Sequence, residues 1–345
     1  MGLALTTASA MLGMLQWGIR QSSETENFLT NVERVMEYAK LTPEQSTTSE
    51  AVKAKVKFNR KTAKGMLNAI LSNEKLETNT ADGGQVDFKE FRFNYYQNGP
   101  VILKGLDLSI KTGEKIGVVG RTGAGKSSLI SALFRVNNGL DGCIDINGKE
   151  IGNIPLKQLR HSLSIIPQEP VIFSDTIRAN LDPFNKHSDE ALWNALRQVE
   201  LLDYVKETDK KLEHFLEERG QNFSVGQKQL ICLARALLKK NKILLIDEAT
   251  ANVDPRTDSL IQATIRREFK ECTVITIAHR LNTIIDSDRI IVMSNGVVLE
   301  ADSPAELLSN EKSSFYQIVS QSKDTKKLMQ AALGTSNCDA DATAF

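Results

Sequence analysis

The fold of this 345-residue chain is decided by the stretch Gly120-Arg-Thr-Gly-Ala-Gly-Lys-Ser127, whose glycine spacing and terminal Lys-Ser are those of a phosphate-binding loop. The preceding run Lys115-Ile-Gly-Val-Val119 predicts a short buried strand, and Ser127 to Phe134 predicts a helix. Glycines let consecutive N–H groups turn toward phosphates, and the helix N-terminus adds partial positive charge. The loop alone does not separate a kinase, a GTPase and a transport ATPase.

Each position of the loop then has an expected task. Lys126 is expected to reach the β- and γ-phosphates, and the Ser127 hydroxyl to ligate Mg²⁺. The residues expected to contact the nucleotide here are Gly120, Arg121, Thr122, Gly123, Ala124, Gly125, Lys126, Ser127 and Ser128.

Composition argues against a zinc site or a disulfide framework and gives no support for a nucleic-acid partner. Lys and Arg total 43 and Asp and Glu total 43, so net charge gives no argument for a nucleic-acid partner, and we expect none. The four cysteines form no CxxC pair, which argues against a zinc site or disulfide framework and suits the reducing cytosol.

The N-terminal segment Gly2 to Ile19 carries no charge and ends with Trp17 and then Arg20, so it is interpreted as a membrane span of marginal length. A signal peptide and a buried soluble helix are the alternatives. Apolar residues at helical spacing from Phe28 to Met36 predict that the helix runs on into the cytosol. Residues 1–40 are thus expected to belong to a transmembrane domain. The Lys-rich stretch 41–85 is expected to be a solvated linker, with contact to anionic lipid headgroups as the alternative.

From Val86 the pattern changes to short β-rich runs separated by helical ones. Asn147-Gly148 and Asn295-Gly296 predict hairpins, while Lys242 to Ile246 and Thr273 to Ile277 are continuous apolar runs typical of parallel strands covered on both faces. Together they predict an α/β nucleotide-binding domain over residues 86–321, with residues 322–345 as a flexible tail.

A helical stretch is predicted from Asp189 to about Val205, with Ser188 at its N-cap. Trp193 within it is interpreted as a packed core residue, with stacking on a ligand as the alternative.

Two carboxylates end the apolar run Lys242-Ile-Leu-Leu-Ile-Asp-Glu248. Asp247 is expected to hold Mg²⁺ through water and Glu248 to polarise the attacking water, against the alternative of a solvated acid pair. Gln168 follows another apolar strand, where its amide could reach the metal or the water.

A second anion site is predicted at Ser224-Val-Gly-Gln-Lys-Gln229, which opens a helical pattern with Ser224 at the N-cap. Because the chain's own phosphates are held at the first loop, this site is expected to serve a nucleotide on another domain. His279 follows a buried strand and could bond a γ-phosphate, although a lone histidine there is more often structural.

The ordered series resembles the nucleotide-binding domain of ATP-binding cassette (ABC) transporters over about Val86 to Gln321. The motifs that carry the resemblance are Tyr95, Gly120 to Ser127, Gln168, Ser224 to Gln227, Lys242 to Glu248, Ala251-Asn-Val-Asp254 and His279. Four motifs are similar, more narrowly, to the second such domain of the multidrug-resistance-associated (C) subfamily: Arg121-Thr-Gly-Ala-Gly125, Asn180-Leu-Asp-Pro-Phe184, Ser224-Val-Gly-Gln227 and Ala278-His-Arg-Leu-Asn-Thr-Ile284. The helix ending Val32-Glu-Arg-Val-Met-Glu-Tyr38 likewise resembles that subfamily's final transmembrane helix.

The resemblance implies a P-loop NTPase fold of the RecA-like type: a parallel-sheet core, an antiparallel β subdomain and a helical signature subdomain, preceded by one long membrane-to-cytosol helix. It implies that Tyr95 stacks on adenine, that Gln168 couples the Mg²⁺ site to the membrane domain and that His279 contacts the γ-phosphate. Ser224, Gly226 and Gln227 would cover the phosphate loop of a second cassette in a head-to-tail dimer. The implied cofactors are ATP and Mg²⁺, and the implied partners are that cassette, transmembrane domains and the lipid bilayer of the plasma membrane, with the nucleotide-binding domain in the cytosol.

The family's usual Leu-Ser-Gly-Gly-Gln is here Phe223-Ser-Val-Gly-Gln227. This variation is common in the subfamily's second domain, where the signature faces the less active of two unequal ATP sites. Because Glu248 is present, the ATP site on this chain's phosphate loop should be the hydrolytic one. One span cannot form a translocation path, which favours a C-terminal fragment or a truncated gene product. The leading hypothesis is ATP hydrolysis that drives export of organic solutes; the alternatives are a nucleotide-sensing or channel-gating cassette and a soluble non-transport ABC ATPase.

Overall fold

The computed structural model describes residues 2–41, 44, 83–96, 99–137, 141–249, 253–278, 280–322 and 325–332. The chain divides into two compact units, Met1–Ser49 and Glu50–Phe345, and each is described by itself. Most of the predicted linker, and His279, lie outside the described residues.

The described residues of the first unit form helix α1 (Gly2–Lys40), which confirms that the apolar segment and the amphipathic segment form a continuous helix. The predicted membrane span from Gly2 to Ile19 is not confirmed: among the described residues, no helix combines the length and the apolar character needed to cross a bilayer. Thr6, Thr7, Ser9 and Gln16 interrupt its apolar residues.

The second unit contains all the strands and the remaining helices of the described part of the chain. The strands are β1 (Val86–Phe93), β2 (Leu103–Ile110), β3 (Lys115–Gly120), β4 (Asp141–Ile146), β5 (Lys149–Glu150), β6 (Leu163–Ile166), β7 (Ile243–Asp247), β8 (Thr273–Ile277), β9 (Arg289–Ser294) and β10 (Val297–Asp302). The α-helices are α2 (Lys126–Leu133), α3 (Leu156–Ser162), α4 (Ile177–Leu181), α5 (Asp189–Gln198), α6 (Leu202–Glu207), α7 (Val225–Lys239), α8 (Pro255–Glu268), α9 (Pro304–Ser309), α10 (Ser314–Ser320) and α11 (Thr325–Ala332).

The strands form two sheets. An antiparallel sheet has the order β2-β1-β4-β5, and a six-stranded sheet has the order β10-β9-β3-β8-β7-β6, in which β9, β3, β8, β7 and β6 are parallel. Both Asn-Gly hairpins are confirmed, because Asn147, Gly148, Asn295 and Gly296 all have positive φ. Since the parallel strands end at one edge, the residues that follow β3, β6, β7 and β8 lie at that edge.

Three buried apolar clusters hold the unit together. The first packs α5 and α7 against the sheet, the second fills the space between the two sheets around α2, and the third joins β9 to α10 and α11. Trp193 packs against the first cluster, as its helical spacing predicts. Helix α7 is buried on most sides, which suits a helix enclosed by other elements.

Two predicted boundaries differ from the structure. The helix expected from Asp189 to Val205 ends at Gln198, because Glu200 takes a left-handed φ of 55° before α6 begins. The predicted tail contains α11, whose Leu328 is buried in the third cluster; residues 333–345 lie outside the described part.

Candidate functional site

The phosphate loop joins β3 to α2 in the strand–loop–helix order that its motif requires. Gly125 is the N-cap of α2 and has φ of 99°, a left-handed value that glycine adopts without strain. The Ala124 N–H donates to Arg121 O at 3.0 Å, which closes the turn. The loop therefore presents the first backbone N–H groups of α2 at the edge of the sheet, where they could bind an anion.

Lys126 extends its ammonium group back along the loop. Its side chain is buried, and Nζ donates to Gly120 O at 2.9 Å and to Arg121 O at 3.4 Å. These carbonyls are neutral acceptors, and phosphate oxygens would be stronger ones because they carry charge. The amine is held at the loop, in reach of a phosphate bound there.

The side chains of Ser127 and Asp247 face each other, with Ser127 Oγ 3.4 Å from Asp247 Oδ1. The strand order explains this approach, since β3 and β7 flank β8 and the register pairs Asp247 with Ile277 at the end of β8. A hydroxyl and a carboxylate are oxygen donors of the kind that Mg²⁺ prefers, so the residues present fit the predicted ion.

Glu248 follows Asp247 in a strained backbone conformation. Its φ is 46°, in the left-handed region, and its N–H donates to Ile277 O at 3.0 Å. Strained non-glycine residues of this kind cluster at functional sites. The conformation turns the chain sharply just beyond β7, at the edge where the phosphate loop lies.

Gln168 lies beyond β6 and Pro167, and its side chain is exposed. Its own carbonyl accepts a hydrogen bond from Nε2 of Gln229 at 3.1 Å. The parallel pairing of β6 with β7 places Gln168 at the same sheet edge as Asp247. The predicted amide is thus at the expected edge, although no contact with Ser127 or Asp247 is seen.

Tyr95 is held beside the start of α2. Its hydroxyl lies 2.9 Å from Ser128 Oγ, and its ring packs edge-to-face on Phe93 with centroids 5.1 Å apart. Asn137 Nδ2 donates to the Tyr95 carbonyl. Tyr95 as a whole is 43% exposed, which leaves an aromatic residue accessible next to the phosphate loop.

The second predicted anion site is a capped helix start. Ser224 Oγ accepts from Gln227 N at 3.1 Å while Gln227 Oε1 accepts from Ser224 N at 2.8 Å, so the two residues form a reciprocal capping box. A Cβ on Gly226 would lie 2.8 Å from Thr257 Cγ2, so α8 packs closely against this turn. Ser224 itself is exposed.

Of the remaining predicted residues, the structure describes Asp254 but not His279, Ala251 or Asn252. Asp254 Oδ2 caps α8 by accepting from Thr257 N at 3.0 Å. That hydrogen bond is the main cause that lowers the pKa of Asp254 below its ordinary value.

The structure adds two residues that sequence reasoning missed. Gln229 bonds the backbone of the Gln168 turn. Gly296 donates its N–H to Ala124 O at 3.1 Å and accepts from Lys104 N at 2.9 Å, so the β9–β10 turn supports the phosphate loop. Gln229 could have been found as a polar residue within the apolar pattern of α7. The sequence around Gly296 predicted the hairpin but not its contact with the phosphate loop.

Comparisons with known proteins show which family the chain is similar to. The ABC transporter family profile matches residues 103–251. The chain is 50% identical over 320 residues to ATP-binding cassette sub-family C member 4 of Homo sapiens, which covers 93% of this chain and 22% of that protein. It is 48% identical over 324 residues to probable multidrug resistance-associated protein lethal(2)03659 of Drosophila melanogaster, with the same coverage of 93% and 22%.

Among solved structures, a bacterial Atm1-family ABC exporter with ATP bound matches with a TM-score of 0.66 and 33% identity, covering 70% of this chain and 42% of that one. The chain spans about a fifth of the length of the curated relatives it matches. The loop, the strand order and these similarities together show that the chain carries an ATPase domain of the ABC transporter family, from the multidrug-resistance-associated (C) subfamily.

Proposed function

We propose that this domain binds ATP with Mg²⁺ at the phosphate loop and hydrolyses it as the second nucleotide-binding domain of an exporter of organic solutes. The observation that carries the proposal is the approach of Ser127 to Asp247, 3.4 Å between oxygens at the edge where β3, β7 and β8 end. A serine from the loop helix and an aspartate from a strand end form the donor pair that a nucleotide-bound magnesium ion needs.

Each residue then has one task. The Tyr95 ring stacks on the adenine, and Lys126 releases the Gly120 carbonyl to bind phosphate oxygens. Ser127 and Asp247, with Gln168, would hold Mg²⁺, and the ion would supply positive charge to the phosphates during transfer of the γ-phosphoryl group. Glu248 orients the attacking water, and His279 bonds the γ-phosphate.

The site is completed by a second cassette. Ser224 is exposed at the start of α7 with its capping box formed, which supports contact with another chain's nucleotide. In a head-to-tail dimer, Ser224, Gly226 and Gln227 would cover the partner's phosphate loop, and the partner's signature would cover this one. One chain then supplies half of each of two ATP sites.

Export requires transmembrane domains in a bilayer, with this domain on the cytosolic side of a membrane, proposed to be the plasma membrane. The support is similarity: the relatives include a multidrug resistance-associated protein and the structural match is an ABC exporter. Because the chain spans about a fifth of those relatives, transport belongs to the whole protein.

The test compares Glu248→Gln with the wild-type chain for ATP binding and for phosphate release. The amide keeps the size of the side chain but is a poor base, so we expect ATP to bind with unchanged affinity while turnover is lost. Glu271→Gln, at an exposed turn before β8, is the matched control and should retain turnover. Undiminished hydrolysis in Glu248→Gln would contradict the proposal.

A further inference from the structure

Gln229, on helix α7, contacts the backbone that carries Gln168. The side chain is 1% exposed, and its Nε2 donates to Pro167 O and to Gln168 O, each at 3.1 Å. Both hydrogen bonds join side chain to main chain across about sixty residues of sequence. A buried amide that donates twice to one turn sets where that turn lies.

The orientation of the amide is determined by these two acceptors. Turning the amide over would bring Oε1 against two carbonyl oxygens, which repel it. In the orientation seen, Oε1 is buried and has no hydrogen-bond partner among the described residues. This orientation keeps both donations of the amide to the turn.

The same helix holds the far end of this segment. Arg235 donates to Val171 O and to Asn180 Oδ1, the latter at 2.9 Å. Asn180 is fully buried, and its Nδ2 donates to Phe173 O at 2.9 Å. Residues 167–180 are therefore attached to α7 at both ends, through Gln229 and Arg235.

We propose that Gln229, on helix α7, is a positioning residue: its amide holds the backbone of Gln168 where the Gln168 side chain can reach the metal site. This inference rests on the proposed function, in which Gln168 binds Mg²⁺. Gln229 lies two residues after Gln227, and because a helix is stiff over half a turn, the start of α7 and the Gln168 turn keep a fixed relation. A displacement of residues 224–227 would therefore be transmitted to this chain's own metal site through the side-chain amide of Gln229.

The test is a double-mutant cycle on the full chain, with Gln229→Met and Gln168→Ala alone and together. Methionine matches glutamine in length and volume and donates no hydrogen bond, and Gln229→Leu repeats the test with a second apolar side chain. The readout is the ratio of the Kd for a fluorescent ATP analogue in EDTA to that in Mg²⁺, measured beside the melting temperature. Gln198→Met is the control, because its half-buried amide bonds Glu268 on α8 instead of the turn.

We expect Gln229→Met to lower the Mg²⁺ enhancement about tenfold, the usual scale for losing a residue that orients a metal ligand. Affinity in EDTA should stay within about twofold, since both hydrogen bonds of the Gln229 amide go to the Gln168 turn and not to the phosphate loop. In the Gln168→Ala background, Gln229→Met should cause no further loss, and Gln198→Met should leave the ratio unchanged.

Additive losses in the cycle would overturn the proposal, because Gln229 would then act independently of Gln168. An unchanged ratio in both Gln229 variants would overturn it as well. If Gln168→Ala alone leaves the ratio unchanged, the metal role of Gln168 in the proposed function fails, and the inference fails with it.

Discussion

Ser127 Oγ and Asp247 Oδ1 lie 3.4 Å apart although 120 residues separate them in sequence. The pair forms because β8 lies between β3 and β7, so the ends of the two outer strands converge on the same short stretch of sheet edge. The two oxygens define the metal side of the candidate site.

The first prediction concerns this pair. Asp247→Asn removes the charge that attracts a divalent cation, so the enhancement of ATP binding by Mg²⁺ should fall by about 10- to 100-fold. Titration with a fluorescent ATP analogue, with and without Mg²⁺, measures it. Asp145→Asn, which breaks the Lys89 ion pair on the antiparallel sheet, is the control and should behave as wild type. If the enhancement of ATP binding by Mg²⁺ is unchanged in Asp247→Asn, Asp247 does not bind the metal.

The second prediction concerns the aromatic ring beside the loop. Tyr95→Ala should weaken ATP binding about three- to tenfold, because a stacked aromatic contact contributes on the order of 1 kcal/mol. Tyr95→Phe keeps the ring and loses only the hydrogen bond to Ser128, so its loss should be smaller. The neighbouring Tyr96, 65% exposed, provides a control in Tyr96→Ala. Equal losses at both tyrosines would contradict a specific role for Tyr95.

The third prediction concerns Gly296. A Cβ there would lie 1.8 Å from Ile102 O, and φ is 83°, so Gly296→Ala meets both a clash and a strained backbone. We expect the free energy of unfolding to fall by about 1–3 kcal/mol from the backbone strain alone, with a further loss from the clash. ATP binding should weaken too, because the bond to Ala124 O supports the loop.

The chain offers a matched control for that glycine. Gly148 has the same place in the other Asn-Gly hairpin and φ of 73°, but nothing lies within 4 Å of its added Cβ. Gly148→Ala should therefore show the strain without the clash and keep ATP affinity. Denaturant unfolding and nucleotide titration of both variants separate the two effects; equal behaviour would show that the contact with Ile102 does not matter.

The fourth prediction concerns pH. Burial alone would raise the pKa of Glu300, but hydrogen bonds from Ser314 N, Ser313 Oγ and Phe315 N outweigh it and lower the pKa below 4.5. A lowered carboxyl pKa stabilises the fold above the ordinary value, and this stability is lost as pH falls through the folded-state pKa.

The variant Glu300→Gln tests this. At pH 7 it should be less stable than wild type by about 1 kcal/mol, a value kept small because Glu300 is only half-buried and solvent still screens its charge. Below pH 4.5 the difference should shrink as Glu300 becomes protonated. Urea unfolding midpoints at several pH values measure the trend, and a difference that grows toward acid would have the wrong sign.

The sequence predicted much of this because local patterns match local chemistry. The phosphate loop, both Asn-Gly hairpins, the cap at Ser224 and the parallel strands ending at Asp247 each depend on residues close in sequence, and all are found. Helix α11 was missed because its burial depends on the third apolar cluster, which assembles from distant elements. The interpretation of Gly2 to Ile19 as a membrane span relied on the absence of charge, and it is not confirmed, because no helix among the described residues is long and apolar enough to cross a bilayer.

Within the site, the residues expected to bind the nucleotide and the metal could be predicted from the sequence, whereas the residues that position them could not. Asp247 ends β7, Gln168 lies just beyond β6, and Ser127 lies at the start of the helix after β3, so the edge that they share could be predicted from the pattern. Gln229 could not be assigned, because its partners are backbone carbonyls, which every residue carries. A tertiary contact to main chain leaves no complementary residue for sequence reasoning to detect.

The strand order has a consequence for synthesis on the ribosome. Strand β3 is complete at residue 120, yet its two neighbours are β8 and β9, which end at residues 277 and 294. The phosphate loop is therefore translated long before the strands on either side of it exist, and the Gly296 contact comes later still. A nascent chain halted before residue 273 would carry the entire motif from Gly120 to Ser127 and still lack both strands that flank β3 in the sheet.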